Sequence, residues 1–472
     1  MSLTKVSYSM IQGEFLNVLD FGAVGDGVTD DTAAMNAAAV AAGSQKKAIF
    51  VPSGVYKMTA AWVVPVKVYV LGESPAQQSG FDPANNWDFG AVIFKAHTGN
   101  GIEKIGAFAN EEGAPTENIT ISSHRTNFPG GNGFVIDKCS GVHHIRCNVY
   151  GVGGDCFQLG ITAGDVTTHN YIFNCYSNNP VGVHYRMRQK WTRAQYPVTD
   201  GGTIGMFLDN APMSEIDGFH FEGFTQVGIK ISNGSTDAVF TGRGYIGHTV
   251  ASPVIGVQIT DESGNSGAVF ENVSFVADNV SGDQGVVLFG NAVNTSFVNC
   301  KFNNWDIGFS TSATFGNSHT TVQNCFFDNC GLPIYAAGNQ TYFLNNAFEN
   351  TIGVCDIDHI AGTQGLWSGN SFDKGPRASL SGVQGNYSGI RVKDNTGFVS
   401  RNFGTTTAIA PYANIAHGLD GIPREQIILT CNSSGVTSFP QLVSADATNF
   451  SLFWTGVGTA QWNWEAALPC DY

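Results

Sequence analysis

The segment HYRMRQKWTRAQYPVTDGG, residues 184–202, sets Arg186, Arg188, Lys190 and Arg193 among Tyr185, Trp191 and Tyr196, in a chain with only 23 basic residues out of 472. Flat aromatic rings beside cations are what an acidic polysaccharide requires: rings stack on sugar faces, and guanidinium groups make charge-assisted hydrogen bonds to carboxylates. A subunit contact or a solvated loop would use the same residue types. His184, Lys230, Arg243 and Tyr245 add cations and bases. If the sugar is a uronic acid, such groups could neutralise its carboxylate and take the C5 proton, which is β-elimination.

Hydrolysis of a glycosidic bond instead calls for two carboxyl groups, about 5.5 Å apart for retention or roughly 6.5–9.5 Å for inversion. The candidates are Asp155 in GGDCF and Asp217 and Glu222 in SEIDGFHFEG, where Glu215 is also present. In that stretch Phe219 and Phe221 should point inward and leave His220 and Glu222 outside. An ordinary corner role competes for each carboxylate, since Glu349 follows Phe348 just as Glu222 follows Phe221. No Cys/His set has zinc spacing: Cys325 and Cys330 lack a second pair, and His143-His144 stands alone. Neither a metal nor a cofactor is expected.

Composition limits the partners. The formal net charge is −15, with 38 acidic residues, which argues against nucleic acid or an anionic membrane surface as the main partner. No run approaches the roughly 18 apolar residues of a membrane helix, and MSLTKVSYSMIQGEF lacks the basic-then-apolar pattern of a signal peptide. Synthesis in a cytoplasm is expected, with the ten cysteines mostly as buried thiols rather than disulfides.

The elements that must position these groups are short strands. With 58 Gly and 33 Phe, the chain reads as strands broken by turns after residue 45. Ala33 to Ala42 is the one convincing helix, with Thr29, Asp30 or Asp31 to cap it and Gly43 to end it. An apolar-Gly-apolar element recurs at Val181-Gly182-Val183, Val227-Gly228-Ile229, Ile255-Gly256-Val257, Gln284-Gly285-Val286, Ile307-Gly308-Phe309 and Ile352-Gly353-Val354. Asn-x-x-Phe strands recur with it, ending at Phe275, Phe302, Phe327 and Phe348 in steps of 27, 25 and 21 residues. A period in the twenties with about three strands per period requires a parallel β-helix, in which each coil returns to lie about 4.8 Å above the last. Like residues then stack in Asn ladders and a Phe, Val and Ile core.

Aligning coils on the recurring Gly puts Gln158, His184, Lys230 and Gln258 in one outward column. It also makes the coil carrying the basic segment twice the usual span, so residues 184–202 should leave the stack as a loop. After Gly397 the repeat fades into alternating strands carrying Trp454, Trp462 and Trp464. The expected organisation is a lead-in and capping helix over 1–45, the β-helix over 46–400, and a small antiparallel β-sandwich-like domain over 401–472. The tryptophans fit core packing, with trimerisation or carbohydrate contact as further roles.

GAVGDG, residues 22–27, has no Lys and is followed by Asp30 and Asp31, so it reads as a turn and not a phosphate loop. NVLDFGAVGDGVTDDTAAMNAA, followed by VPSGVY at 51–56, resembles the opening segment of the pectate-lyase-type right-handed β-helix superfamily. Lys5-Val-Ser-Tyr-Ser-Met-Ile11 resembles the lead-in of bacteriophage tailspikes and capsule depolymerases. The match is specific over residues 5–57 and diffuse beyond. Gly153-Gly-Asp-Cys-Phe157 partly resembles the Gly-Asp-Asp-Cys element of polygalacturonases, with Gly154 replacing its first Asp. No Asn-Thr-Asp or Gly-His-Gly accompanies it, and Arg391-Val-Lys393 lies too far along to serve as the Arg-x-Lys of that group. His417-Gly-Leu-Asp-Gly-Ile-Pro423 looks like the small C-terminal domain of such spikes.

The resemblance implies a homotrimeric tail protein of a virion, docked to other tail proteins, that binds and cuts a bacterial capsule, exopolysaccharide or O-antigen. Hydrolysis stands first and β-elimination second, since one scaffold carries both reactions. A non-catalytic receptor-binding spike stands third, on the lack of a clean acid pair in the sequence.

Overall fold

The strands are mostly of three to seven residues. Each pairs in parallel with the strand one coil on, two further strands and their connections supplying the long crossover that parallel pairing needs. In the computed structural model they do so as a right-handed parallel β-helix. The structure describes residues 15–76, 90–108, 111–161, 168–248, 253–261, 267–278, 280–290, 292–311, 319–337, 340–353, 355–359, 365–378, 390–397, 401–409, 412–416, 427–431, 441–445, 449–453 and 459–467. The lead-in Lys5–Ile11, the segment His417–Pro423 and Trp454 lie outside them. Two units, residues 1–274 and 275–472, divide the chain.

In the first unit each coil contributes one strand to each of three sheets. Successive strands of the first sheet include His143–Ile145, Tyr171–Phe173, Arg193–Gln195, Glu215–Asp217 and Val239–Thr241. Those of the second include Asn148–Tyr150, Tyr176–Asn178, Val198–Asp200, His220–Glu222 and Tyr245–Gly247. The third runs through Phe157–Leu159, Val183–Met187, Ile204–Asp209, Val227–Ser232 and Ile255–Asp261. Strand alternation sends the middle residue of each three-residue strand inward, so Ile172, Ala194, Ile216 and Phe240 are buried while their neighbours face out. Phe219 and Phe221 are buried as expected, and His220 and Glu222 face solvent.

The helix is Thr32–Gln45. Its N-cap residue is Asp31, whose side chain makes no capping bond, while Asp30 accepts from the Thr32 amide at 3.1 Å. Gly43 does not end it: that residue stays helical against Pro65, and Lys46 takes the left-handed turn with φ 55°. Asp31 accepts instead from the amides of Val24 (2.7 Å) and Gly25 (3.2 Å). Two of the GAVGDG amides are therefore bound to a buried carboxylate, and those of Gly22 and Ala23 to the carbonyls of Leu19 and Val18, which makes the segment a turn.

One expectation fails here. Residues 184–202 do not leave the stack as a loop; they complete an ordinary coil through Val183–Met187, Arg193–Gln195 and Val198–Asp200. Ile204-Gly205-Met206 is another copy of the apolar-Gly-apolar element, so the long span holds two coils. Register also moves His184: Val183 pairs with Ile204 and Tyr185 with Met206, which sets His184 opposite Gly205 and out of the outward column.

The His184 ring is fully buried, with Nδ1 2.7 Å from Ser177 Oγ and Nε2 2.7 Å from the Gly201 carbonyl. Because a carbonyl only accepts, Nε2 carries the proton and Nδ1 accepts from the serine. Burial pushes the His184 pKa down to about 4, against hydrogen bonds to Gly201 and Ser177 that raise it, and burial pushes that of His144 down to about 3. The unfolded chain, near 6.5, thus takes up protons before the folded one. Stability present above pH 6.5 is expected to fall as the pH drops toward 4. Melting temperatures across that range check this, and His184→Asn should flatten the loss.

In the second unit Phe275, Phe302, Phe327, Phe348 and Phe372 stack ring on ring at 4.5, 4.6, 5.2 and 5.3 Å. Beside them Asn346, Asn370 and Asn395 form an amide ladder, with side-chain bonds of 3.0 and 2.9 Å. Both ladders follow from like residues recurring once per coil. From Arg401 the pairing becomes antiparallel: Arg401–Ile409 and Ile427–Cys431 flank Thr459–Ala467, and Tyr412–Ala416 and Gln441–Ala445 flank Asn449–Phe453. Trp464 is buried there against Phe450, with ring centroids 5.5 Å apart. Cys139, Cys147, Cys156, Cys175, Cys325 and Cys330 are buried free thiols, as the sequence suggested.

Candidate active site

The third-sheet column through Arg186 is Val135, Gln158, Arg186, Phe207, Lys230 and Gln258, one residue per coil, with Val135 and Gln158 covered and the others partly exposed. Gln158, Lys230 and Gln258 stand where the repeat placed them, and Arg186 takes the place expected for His184. Phe207 lies between two cations, with the Arg186 guanidinium 5.0 Å and the Lys230 ammonium 5.1 Å from its ring centre. This cation, ring, cation sequence is a flat plate with positive charge on both sides.

Two carboxylates flank Arg186. Asp155 Oδ2 accepts from its Nε at 2.5 Å, and Asp209 Oδ2 lies 4.0 Å from its Nη1. Asp209 also accepts from Arg188 Nε at 2.7 Å and from Asn233 Nδ2 at 2.6 Å. Burial pushes the Asp209 carboxyl up, but the Asn233 and Arg188 hydrogen bonds and the two guanidinium charges outweigh it and hold the pKa below the usual carboxylate value. Asp209 is therefore ionised at neutral pH.

Asp155 is fixed by the coils on either side of it. Its amide donates to Asn132 Oδ1 at 2.7 Å, and its Oδ1 accepts from the Val183 amide at 2.8 Å. That approach requires glycine at 182, where an added Cβ would lie 2.4 Å from Asp155 Oδ1. The two carboxyl groups can be no further apart than these contacts plus the width of one guanidinium. That upper bound admits both the roughly 5.5 Å of retaining and the roughly 6.5–9.5 Å of inverting glycosidases.

The remaining candidates lie on other faces. Asp217 is on the first sheet, accepting from Gln195 at 3.1 Å and Thr241 at 3.3 Å. Glu222 is on the second, 3.0 Å from His220, whose ring stacks on Tyr245 at 4.5 Å. Asp155, Asp217 and Glu222 thus do not share one face and do not form one catalytic set. Each coil turns through three sides, so carboxylates five residues apart can face different directions. Trp191 and Arg193 belong to the first-sheet side, and Lys190 and Arg243 are exposed at corners, as is Tyr196. His184 is a buried core group. Asp209 and Phe207 were missed because the coil opened by Ile204-Gly205-Met206 was not counted; adding it places both.

Residues 15–268 match rhamnogalacturonase A/epimerase, pectate lyase-like. The chain belongs to that family. This pectate lyase-like chain is 42% identical over 73 residues to a glucan 1,3-beta-glucosidase of Cochliobolus carbonum, a match spanning 15% of the chain and 9% of that enzyme. Its fold is similar to the A-module of the mannuronan C-5 epimerase AlgE6 of Azotobacter vinelandii. That likeness has a TM-score of 0.53 and 15% identity over 75% of this chain and 98% of the other. Tailspike protein 3 of bacteriophage CBA120 is a further structural relative, at TM-score 0.49 and 15% identity over 81% of this chain and 62% of that one. Among the described residues no helix is long and apolar enough to cross a membrane.

Proposed function

We propose that this protein is a bacteriophage tailspike that binds a bacterial surface polysaccharide and cleaves it by glycosidic hydrolysis. The observation that carries the reading is the third-sheet row. Asp155 and Asp209 flank Arg186, beside the Phe207 plate and the Lys230 ammonium, on a rigid wall along which a linear sugar chain can lie. Asp209, held ionised, is suited to activate water, and Asp155 is the second carboxyl group. Arg186, Arg188 and Lys230 receive acidic substituents of the sugar. Membership in a pectate lyase-like family and the opening segment at residues 16–57 support the polysaccharide reading; the lead-in at 5–11 supports the tailspike. A homotrimer docked to other tail proteins, acting outside the cell, completes the proposal.

Incubating the protein with purified capsule, exopolysaccharide and O-antigen preparations, then sizing the polymer, tests it. Shorter chains with new reducing ends and no near-ultraviolet absorbance are expected. An unsaturated, absorbing product would replace hydrolysis with β-elimination, and unchanged chain length would leave only a binding spike.

A further inference from the structure

We infer that the outer face of the first sheet is a second glycan-binding groove, separate from the third-sheet row, and that it takes a neutral, hydroxyl-rich sugar chain. It rests on the reading of the protein as a glycan binder but not on where the chain is cut.

The face holds an open groove of about 1020 Å³. Trp191, 45% exposed, lines it. The ring is held in place: Nε1 lies 2.7 Å from Met213 Sδ, and the His169 ring is 5.2 Å away. Trp191 sits at a coil corner with φ 52°, a left-handed angle shared by several other corner residues of the stack. A plate ordered before the ligand arrives loses little entropy on stacking a sugar.

The floor is polar and already internally matched in charge. Arg193 pairs with Glu215 through Nη2 at 2.5 Å and Nε at 2.6 Å. Tyr171 OH donates to Gln195 Oε1 at 2.6 Å, and Gln195 Nε2 donates to Asp217 at 3.1 Å. One guanidinium thus faces two carboxylates, so an acidic chain would be repelled. Hydroxyls both donate and accept, and they can bond to these groups without bringing charge. Tyr171, Arg193 and Glu215 occupy successive rungs of one column, and Gln195 and Asp217 those of the next. At about 4.8 Å per rung the partners repeat at a spacing comparable to one sugar ring. The third-sheet row is the opposite case, with Arg186, Arg188 and Lys230 against Asp155 and Asp209. Two faces of one coil stack therefore select different sugars.

An array of neutral and uronic-acid-containing bacterial oligosaccharides, probed with the full chain, tests this. Binding to neutral glycans is expected, weakened about tenfold in Trp191→Ala, equal to about 1.4 kcal/mol, and largely retained in Trp191→Phe, which keeps an aromatic plate. Binding confined to uronic-acid glycans, or neutral binding indifferent to Trp191→Ala, would overturn the inference. So would a change of oligomeric state in Trp191→Ala by light scattering, which would make the groove an interface between copies. Polymer cleavage is read separately, so failure of the depolymerase reading and failure of this one are distinguishable.

Discussion

Asp209→Asn is expected to slow polymer cleavage by about 10²- to 10⁴-fold, the range lost when a positioned acid or base is removed. The amide keeps the size of the carboxylate, and its oxygen can still accept from Asn233, so the coil should remain in place. What disappears is the charge facing Arg188 and Arg186, at 2.7 and 4.0 Å. The group then has neither the basicity to activate water nor the charge to balance two guanidinium groups. Asp155→Asn should act similarly, because both carboxylates hold Arg186. Initial rates of reducing-end formation measure the effect, with the urea midpoint as a control for folding. A wild-type rate in Asp209→Asn would remove the third-sheet row from the chemistry.

Phe302→Ala is expected to destabilise the second unit by about 3–5 kcal/mol, the cost of truncating a fully buried aromatic side chain. Phe302 is 0% exposed and stacks between Phe275 and Phe327 at 4.5 and 4.6 Å, with interplanar angles of 8° and 5°. Alanine there forfeits both ring contacts and opens a gap that the flanking coils, pinned by backbone hydrogen bonds, cannot close. Phe302→Leu should cost less, since much of the apolar volume remains. Denaturant unfolding checks both; a midpoint unchanged in Phe302→Ala would mean that the ring stack contributes little.

The repetition that makes these effects large is legible in the sequence itself. Steps of 27, 25 and 21 residues between phenylalanines gave the coil, and the ring stack is its direct consequence. Inside and outside were also legible locally, as at Phe219, His220, Phe221 and Glu222, because side chains in a strand alternate. The helix was legible too, although its end was not. Gly43 has the composition of a terminator, but packing against Pro65 kept it helical and left the turn to Lys46.

The sequence by itself therefore determined the solenoid, the alternation that buries residues such as Phe219 and Phe221, and the family. Only the tertiary structure decided which residues share a face. Alternation is a property of neighbours along the chain, whereas the register between coils depends on backbone pairing across some twenty residues. His184 and Arg186 are two positions apart and equivalent by alternation. Pairing of Val183 with Ile204 and Tyr185 with Met206 sent the first into the core and the second beside Phe207. The same choice brought Asp155 and Asp209 to one guanidinium and left Asp217 and Glu222 on other sides, because three short strands turn the chain through a full circuit.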